Sequence, residues 1–168
     1  MRRERWYAAA ALWALTTLLG PQAGVRAQAS NPCEHSGTVI QVSTAEHLLR
    51  LCAKGEVAAA YPIALGVGGV GKSKQGDHKT PIGRYPIKRP RPSRSFGTFI
   101  LVGYPTLDQR TAGLSGSDVG IHGPPRGFAP GLLSFDWTDG CIALASDAEI
   151  EAIAKWVRVS HARWVEID

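Results

Sequence analysis

Long apolar runs are scarce in this chain of 168 residues. The run from Trp6 to Gly20, interrupted by Thr16 and Thr17, stops short of the about 20 apolar residues that a helix needs to span a bilayer. Metal-binding residues are few as well. His78 stands beside Asp77 and can be grouped with His122, but no second His or Cys lies at a characteristic ligand spacing, so no metal is expected. Positive charge is less abundant than the formal net of +5 suggests. Arg2, Arg3, Arg5 and Arg26 lie in the first 29 residues with Glu4, and the rest of the chain holds 15 Lys and Arg against 13 Asp and Glu. That near balance argues against a nucleic-acid partner, whose footprint is a basic domain. Residues 30–168 suit one core and leave no room for a second domain. Gly66 to Gly71, followed by Lys72 and Ser73, does not match the phosphate-loop spacing well, and no helix pattern follows it. It reads instead as a glycine-rich strand exit that lets backbone pass close to a neighbour.

What is present begins with a leader. A basic head, the short apolar run and Ala27-Gln28-Ala29 form a signal peptide over residues 1–29, with cleavage expected after Ala29. Cys33 follows Ser-Asn-Pro rather than a lipoprotein-type apolar tripeptide, so no lipid or membrane anchor is expected after cleavage. The product is an exported chain, periplasmic or in the cell envelope. An oxidising compartment lets thiols pair, and three cysteines cannot all do so. Pairing Cys33 with Cys52 staples the N-terminal segment (30–38) to the first hairpin and leaves Cys141 free; the other two pairings stay open.

From Val39 onward, short apolar runs alternate with Gly, Pro and polar clusters, the pattern of a compact β domain. Leu48 to Cys52, a turn over Ala53 to Glu56, and Val57 to Leu65 read as strand, turn, strand. Residues 88–98, with Lys88, Arg89, Arg91 and Arg94 among prolines, read as a basic surface loop that can attract anionic peptides. Phe99 to Val102 reads as a strand, Tyr104 to Ser117 as a polar loop of lid length, and Val119 to Ile121 as a short strand leading into His122. Ser146-Asp147-Ala148-Glu149 is a capping box, and Ile150, Ile153, Ala154 and Val157 share one face of a helix running to about Arg158. Trp164 to Ile167 alternates and is expected as an edge strand.

One base and one nucleophile stand out. His122 precedes Gly123, Cys141 follows Gly140, and both lie on a segment crowded with turn formers. A cysteine at its free pKa is only partly thiolate at neutral pH, so acyl transfer through it calls for a neighbouring base. Sortases also place His before Cys but need an Arg shortly after the Cys, whereas Arg158 and Arg163 fall at the helix end and beyond. Papain-like peptidases use the opposite order.

Two segments carry a resemblance to a known family. Thr80, Pro81, Gly83 and Tyr85 follow a Thr-Pro-x-Gly-x-aromatic pattern, and His122-Gly123 is followed by Thr138-Asp139-Gly140-Cys141-Ile142-Ala143-Leu144. Together they resemble the L,D-transpeptidase (YkuD-type) catalytic domain over residues 39–168. Two positions depart from its usual pattern: Asp139 stands where the family commonly has His, and Ala143 where it commonly has Arg.

The resemblance implies a mainly β fold, an L,D-transpeptidase-like sandwich or barrel, with one helix after Cys141. It also implies a cysteine acyltransferase cutting a peptidoglycan stem peptide and passing the acyl group to an amine. Water as acceptor makes the same site a carboxypeptidase or endopeptidase, and a domain with an inert thiol would be a wall-binding module. In this reading Cys141 is the nucleophile, its thiolate attacking at neutral pH, and His122 is the base. The N–H groups of Gly140 and Cys141 form the oxyanion hole. Gly123, Arg126, Thr138 and Asp139 are the candidate substrate-binding residues. Thiol acyl transfer requires no cofactor, and a monomer is expected.

Overall fold

A computed structural model describes residues 31–127 and 135–168. The expected leader and the middle of the loop between His122 and Cys141 lie outside the described residues.

Three strands open the fold as an antiparallel meander: β1 (Val39–Ser43), β2 (Leu48–Ala53) and β3 (Glu56–Ala64). Lys54 and Gly55 connect β2 to β3, with φ of 55° and 79°. Positive φ at both central residues is what a two-residue hairpin needs to match the twist of its strands. Then follow β4 (Gly83–Pro86), β5 (Arg91–Ser93), β6 (Gly97–Leu101), the helix α1 (Leu107–Thr111), β7 (Gly120–His122), β8 (Ile142–Leu144), α2 (Asp147–Ser160) and β9 (Trp164–Ile167). The strands join in the order β4-β9-β1-β2-β3-β8-β7-β6-β5. A bridge from Ile87, just past β4, to Val102, just past β6, draws the two ends of that order together. The architecture is therefore a mainly β, curled half-barrel, and α2 packs against β6 and β8.

Alternation explains the core. Ile40 and Val42 of β1, Leu49 and Leu51 of β2, and Val165 and Ile167 of β9 point to one interior, where Ile150, Ile153, Ala154 and Val157 of α2 meet them. Each fully buried aliphatic side chain contributes about 1.5–3 kcal/mol. Ser146 caps α2 by accepting from the Glu149 N–H, and the Glu149 carboxylate accepts from the Ser146 N–H. A disulfide joins Cys33 to Cys52, and with Val39 the pair forms a small buried cluster apart from the main core.

Three elements differ from expectation. Arg91–Ser93 is a strand, not loop; β5 pairs only with β6, and an edge strand tolerates Pro92, which has no N–H to donate. β9 is not an edge strand. It runs parallel to β1 on one side and antiparallel to β4 on the other. Residues 107–111, expected within a loop, form α1, capped by Thr106 and Gln109 in a second reciprocal box.

Candidate active site

β7 and β8 are parallel neighbours with Ile121 opposite Ile142 and His122 opposite Ala143. Cys141 lies two positions before Ala143, and side chains two apart share a face. Carried one residue back from the start of β8, that alternation puts Cys141 on the His122 face of the sheet, diagonally across one strand spacing. No lone motif could establish this, because a shift of one residue would turn the thiol to the opposite face.

His122 is 1% exposed. Its Nδ1–H donates to the Gly123 carbonyl at 2.7 Å, and since a carbonyl only accepts, Nε2 is left with its lone pair. Phe96 stacks on the ring at 3.8 Å, Phe99 lies opposite in the β6–β7 register, and Trp137 meets the ring edge-on at 6.0 Å. Burial lowers the pKa of His122, an effect only partly offset by the bond to Gly123. The imidazole is therefore neutral near pH 7 and ready to accept a proton.

Cys141 is the free cysteine. Its Sγ lies 3.6 Å from the Asp118 carbonyl oxygen, and burial pushes the thiol pKa up to about 11. The Gly120 N–H and Lys72 act against this rise, while Asp139 and Asp118 add to it. The sequence led us to expect a thiolate at neutral pH; burial and the nearby carboxylates of Asp139 and Asp118 instead favour the protonated thiol. Gly120 has no room for a side chain: a Cβ there would lie 2.2 Å from the Phe99 ring.

The other expected site residues divide into loop staples and exposed groups. Thr138 is 3% exposed, accepts from the Gly140 N–H at 3.1 Å and donates to the Cys141 carbonyl at 2.7 Å. Its hydroxyl, expected to meet substrate, both donates and accepts within the loop. The same bond occupies the Gly140 N–H, so Gly140 is not a free oxyanion donor. Gly140 is required for another reason: its φ is 115°, and a Cβ would sit 2.4 Å from the Lys79 carbonyl oxygen. Gly123 is buried, with Asp147 and Ile150 of α2 lying 3.0 Å from where a Cβ would be, and it acts on His122 through its carbonyl. Arg126 is exposed and bonds by its N–H to the Ser95 carbonyl at 2.8 Å. Asp139 is exposed and accepts from His78 Nδ1 at 2.7 Å.

Sequence reasoning passed over two groups. Lys72 was read within a glycine-rich strand exit, yet its ammonium is buried and 2.7 Å from Asp77 Oδ1. Burial alone would raise the Asp77 pKa, but Lys72 and the N–H groups of Lys74, Ser73 and Lys79 outweigh it and hold the carboxyl well below the usual range. Lys72 Nζ would lie 3.7 Å from a Cβ on Gly140, so this pair supports the loop that carries Cys141. Phe96 is the second. Nothing in its local sequence separates a ring that stacks on a histidine from any turn aromatic. Ala143, where the family commonly has Arg, is fully buried between Ala64 of β3 and His122 of β7. Among the described residues no group of three or more His, Cys, Asp or Glu is placed to hold a metal ion.

A family model described as "L,D-transpeptidase catalytic domain" (YkuD) matches residues 37–167. Among solved structures, the helical cell shape determining protein Pgp2 from Campylobacter jejuni is 25% identical with a TM-score of 0.62, covering 77% of this chain and 46% of that one. Bd1075 from Bdellovibrio bacteriovorus is 20% identical with a TM-score of 0.56, covering 77% of this chain and 47% of that one, a likeness of fold. The chain thus spans about half the length of these solved proteins. No curated protein matches it.

Proposed function

Because the chain belongs to the L,D-transpeptidase (YkuD-type) catalytic-domain family, we propose that it is an exported cysteine acyltransferase acting on peptidoglycan stem peptides. The observation that carries this reading is the β7–β8 register. It sets a neutral imidazole, its Nε2 unprotonated, on the same face as the chain's one free thiol. Residues 1–29 act as the export signal, and the Cys33–Cys52 disulfide suits the oxidising compartment beyond it.

The thiol proton passes to His122 Nε2 as the sulfur attacks the stem-peptide carbonyl. Holding both groups neutral until that moment suits their apolar surroundings, where a standing ion pair would be costly. The Cys141 N–H serves the developing oxyanion, since the Gly140 N–H is engaged by Thr138. The carbonyl re-forms, the terminal amine leaves with the proton held by His122, and a thioester remains on Cys141. An acceptor amine then attacks the thioester, gives its proton to the imidazole, and releases the thiol and a cross-linked product. Arg126 and Asp139, both exposed, are the proposed contacts for the charged groups of the stems.

Incubating residues 30–168 with purified tetrapeptide muropeptides and weighing the products tests the reading. Cross-linked dimers together with loss of the terminal residue are expected. Tripeptide monomers without dimers would establish hydrolysis by the same dyad, and no change in mass would remove peptidoglycan chemistry altogether.

A further inference from the structure

A second site lies away from His122 and Cys141. Where β4 ends, the C-terminal turn of α2 and the start of β9 enclose a cleft of about 620 Å³. Lys88, Arg89, Arg158, His161 and Arg163 line it, Trp164 closes one side, and no carboxylate belongs to its lining. Among the described residues, neither His122 and Cys141 nor the residues that flank them line it.

The cleft gathers several cations that the ion pairs of the molecule do not reach. Arg50 pairs with Glu46, Lys72 with Asp77 and Arg84 with Glu166. Among the described residues, Lys88, Arg89, Arg158 and Arg163 have no acidic partner within 4 Å. The fold holds them together: the Ile87 N–H donates to the Arg163 carbonyl at 2.9 Å and the Lys88 N–H to the Leu101 carbonyl at 2.9 Å. Four like charges brought together repel one another, and at the C-terminal end of a helix the macrodipole relieves them only in part. A bound anion relieves them fully.

Resting on the proposed function, we infer that this cleft is an exosite for carboxylate-bearing peptidoglycan, holding a wall strand apart from the one being processed. The volume suits a ligand of one saccharide–peptide unit. Guanidinium groups match carboxylates through paired N–H donors. The walls formed by Pro86, Pro90 and Trp164 offer apolar surface to the body of such a unit. A concave cleft also fits a polymer segment better than a flat bilayer, and Trp164, with the Arg84 guanidinium 4.7 Å from its ring centroid, keeps 40% of its surface exposed at the rim.

The test uses the Cys141→Ala form of residues 30–168, so that sacculi are bound without being processed. The double variant Arg158→Glu/Arg163→Glu is expected to retain about tenfold less on purified sacculi, from a few exposed pairs lost and made repulsive. Retention should fall with added salt. The control Lys54→Glu/Lys155→Glu, the same charge change outside the cleft, should bind as before. The double variant carrying Cys141 should turn over soluble muropeptides at the parent rate. Unchanged sacculus retention, an equal loss in the control, or cleft-dependent binding to phosphatidylglycerol vesicles with none to sacculi would overturn the exosite. Arg158→Lys/Arg163→Lys keeps the charge and should restore most retention if the double variant is folded but unable to bind. Turnover of soluble muropeptides is read separately, so its absence would sink the proposed function without deciding the exosite.

Discussion

Two imidazoles in this molecule each bond through Nδ1 at 2.7 Å, and they do opposite things. His122 gives its proton to the Gly123 carbonyl, is 1% exposed and lies between aromatic rings. His78 gives its proton to the Asp139 carboxylate, and both side chains are exposed. A neutral acceptor in an apolar place fixes one tautomer and keeps the ring uncharged. An ion pair between exposed groups gains little, because solvent screens it. The same contrast separates Asp77, buried against Lys72, from Asp139, exposed and two residues before Cys141 in the chain. Geometry alone does not rank these contacts; burial does.

The largest expected effect follows from the first imidazole. His122→Ala should lower kcat/KM on muropeptides about 10²–10⁴-fold, the usual contribution of a positioned base. The same change at His78 should leave the rate within about threefold, since an exposed ion pair positions little. Equal losses from the two substitutions would erase the distinction.

Next comes Lys72→Ala, which leaves Asp77 as an uncompensated buried carboxylate and should destabilise the fold by about 3–5 kcal/mol in denaturant titrations. Asp139→Asn, removing an exposed partner, should change stability by less than about 1 kcal/mol. The acid dependence sharpens this pair. The folded pKa of Asp77 is depressed, so its contribution is present above the unfolded value near 4 and is lost as pH falls through the folded one. His122, also depressed, works in the same direction, beginning near the ordinary imidazole pKa. Melting temperature should therefore fall steadily below about pH 6.5. A profile flat to pH 3 would contradict both shifts.

The thiol offers a third test. With the Cys141 pKa pushed up to about 11, alkylation by iodoacetamide at pH 7 should be about a hundredfold slower than for a free thiol, rising as pH increases. Fast labelling at neutral pH that vanishes in His122→Ala would mean a standing thiolate–imidazolium pair instead. The smallest effect is expected from Phe96→Tyr. It keeps a ring stacked on His122 and should leave kcat within about twofold, whereas Phe96→Ala should cost about tenfold by freeing the imidazole.

The residues proposed for the site stand out in the sequence, and the reason is chemical. His122, Cys141 and their glycines are residue types with few alternatives, and Gly140 meets both a positive φ and a close approach to Lys79. The capping box at Ser146 and the four-residue stripe of α2 were equally legible, because a helix start and a helix face are written in neighbouring residues. Thr138 was expected to contact substrate, and its residue type alone does not show that the side chain is 3% exposed. Only the loop's own bonds show that its hydroxyl both donates and accepts within the loop.

What the sequence determined by itself was local: most of the strands, α2 and the family to which the chain belongs. The tertiary structure decided what depends on neighbours distant in the chain. It made β9 an interior strand by giving it β1 and β4 as partners, and it put His122 and Cys141 on one face through a parallel register. It buried Lys72 against Asp77 and brought Lys88 and Arg89 together with Arg158 and Arg163. Dielectric surroundings and strand neighbours are properties of the assembled molecule, so no reading of adjacent residues contains them.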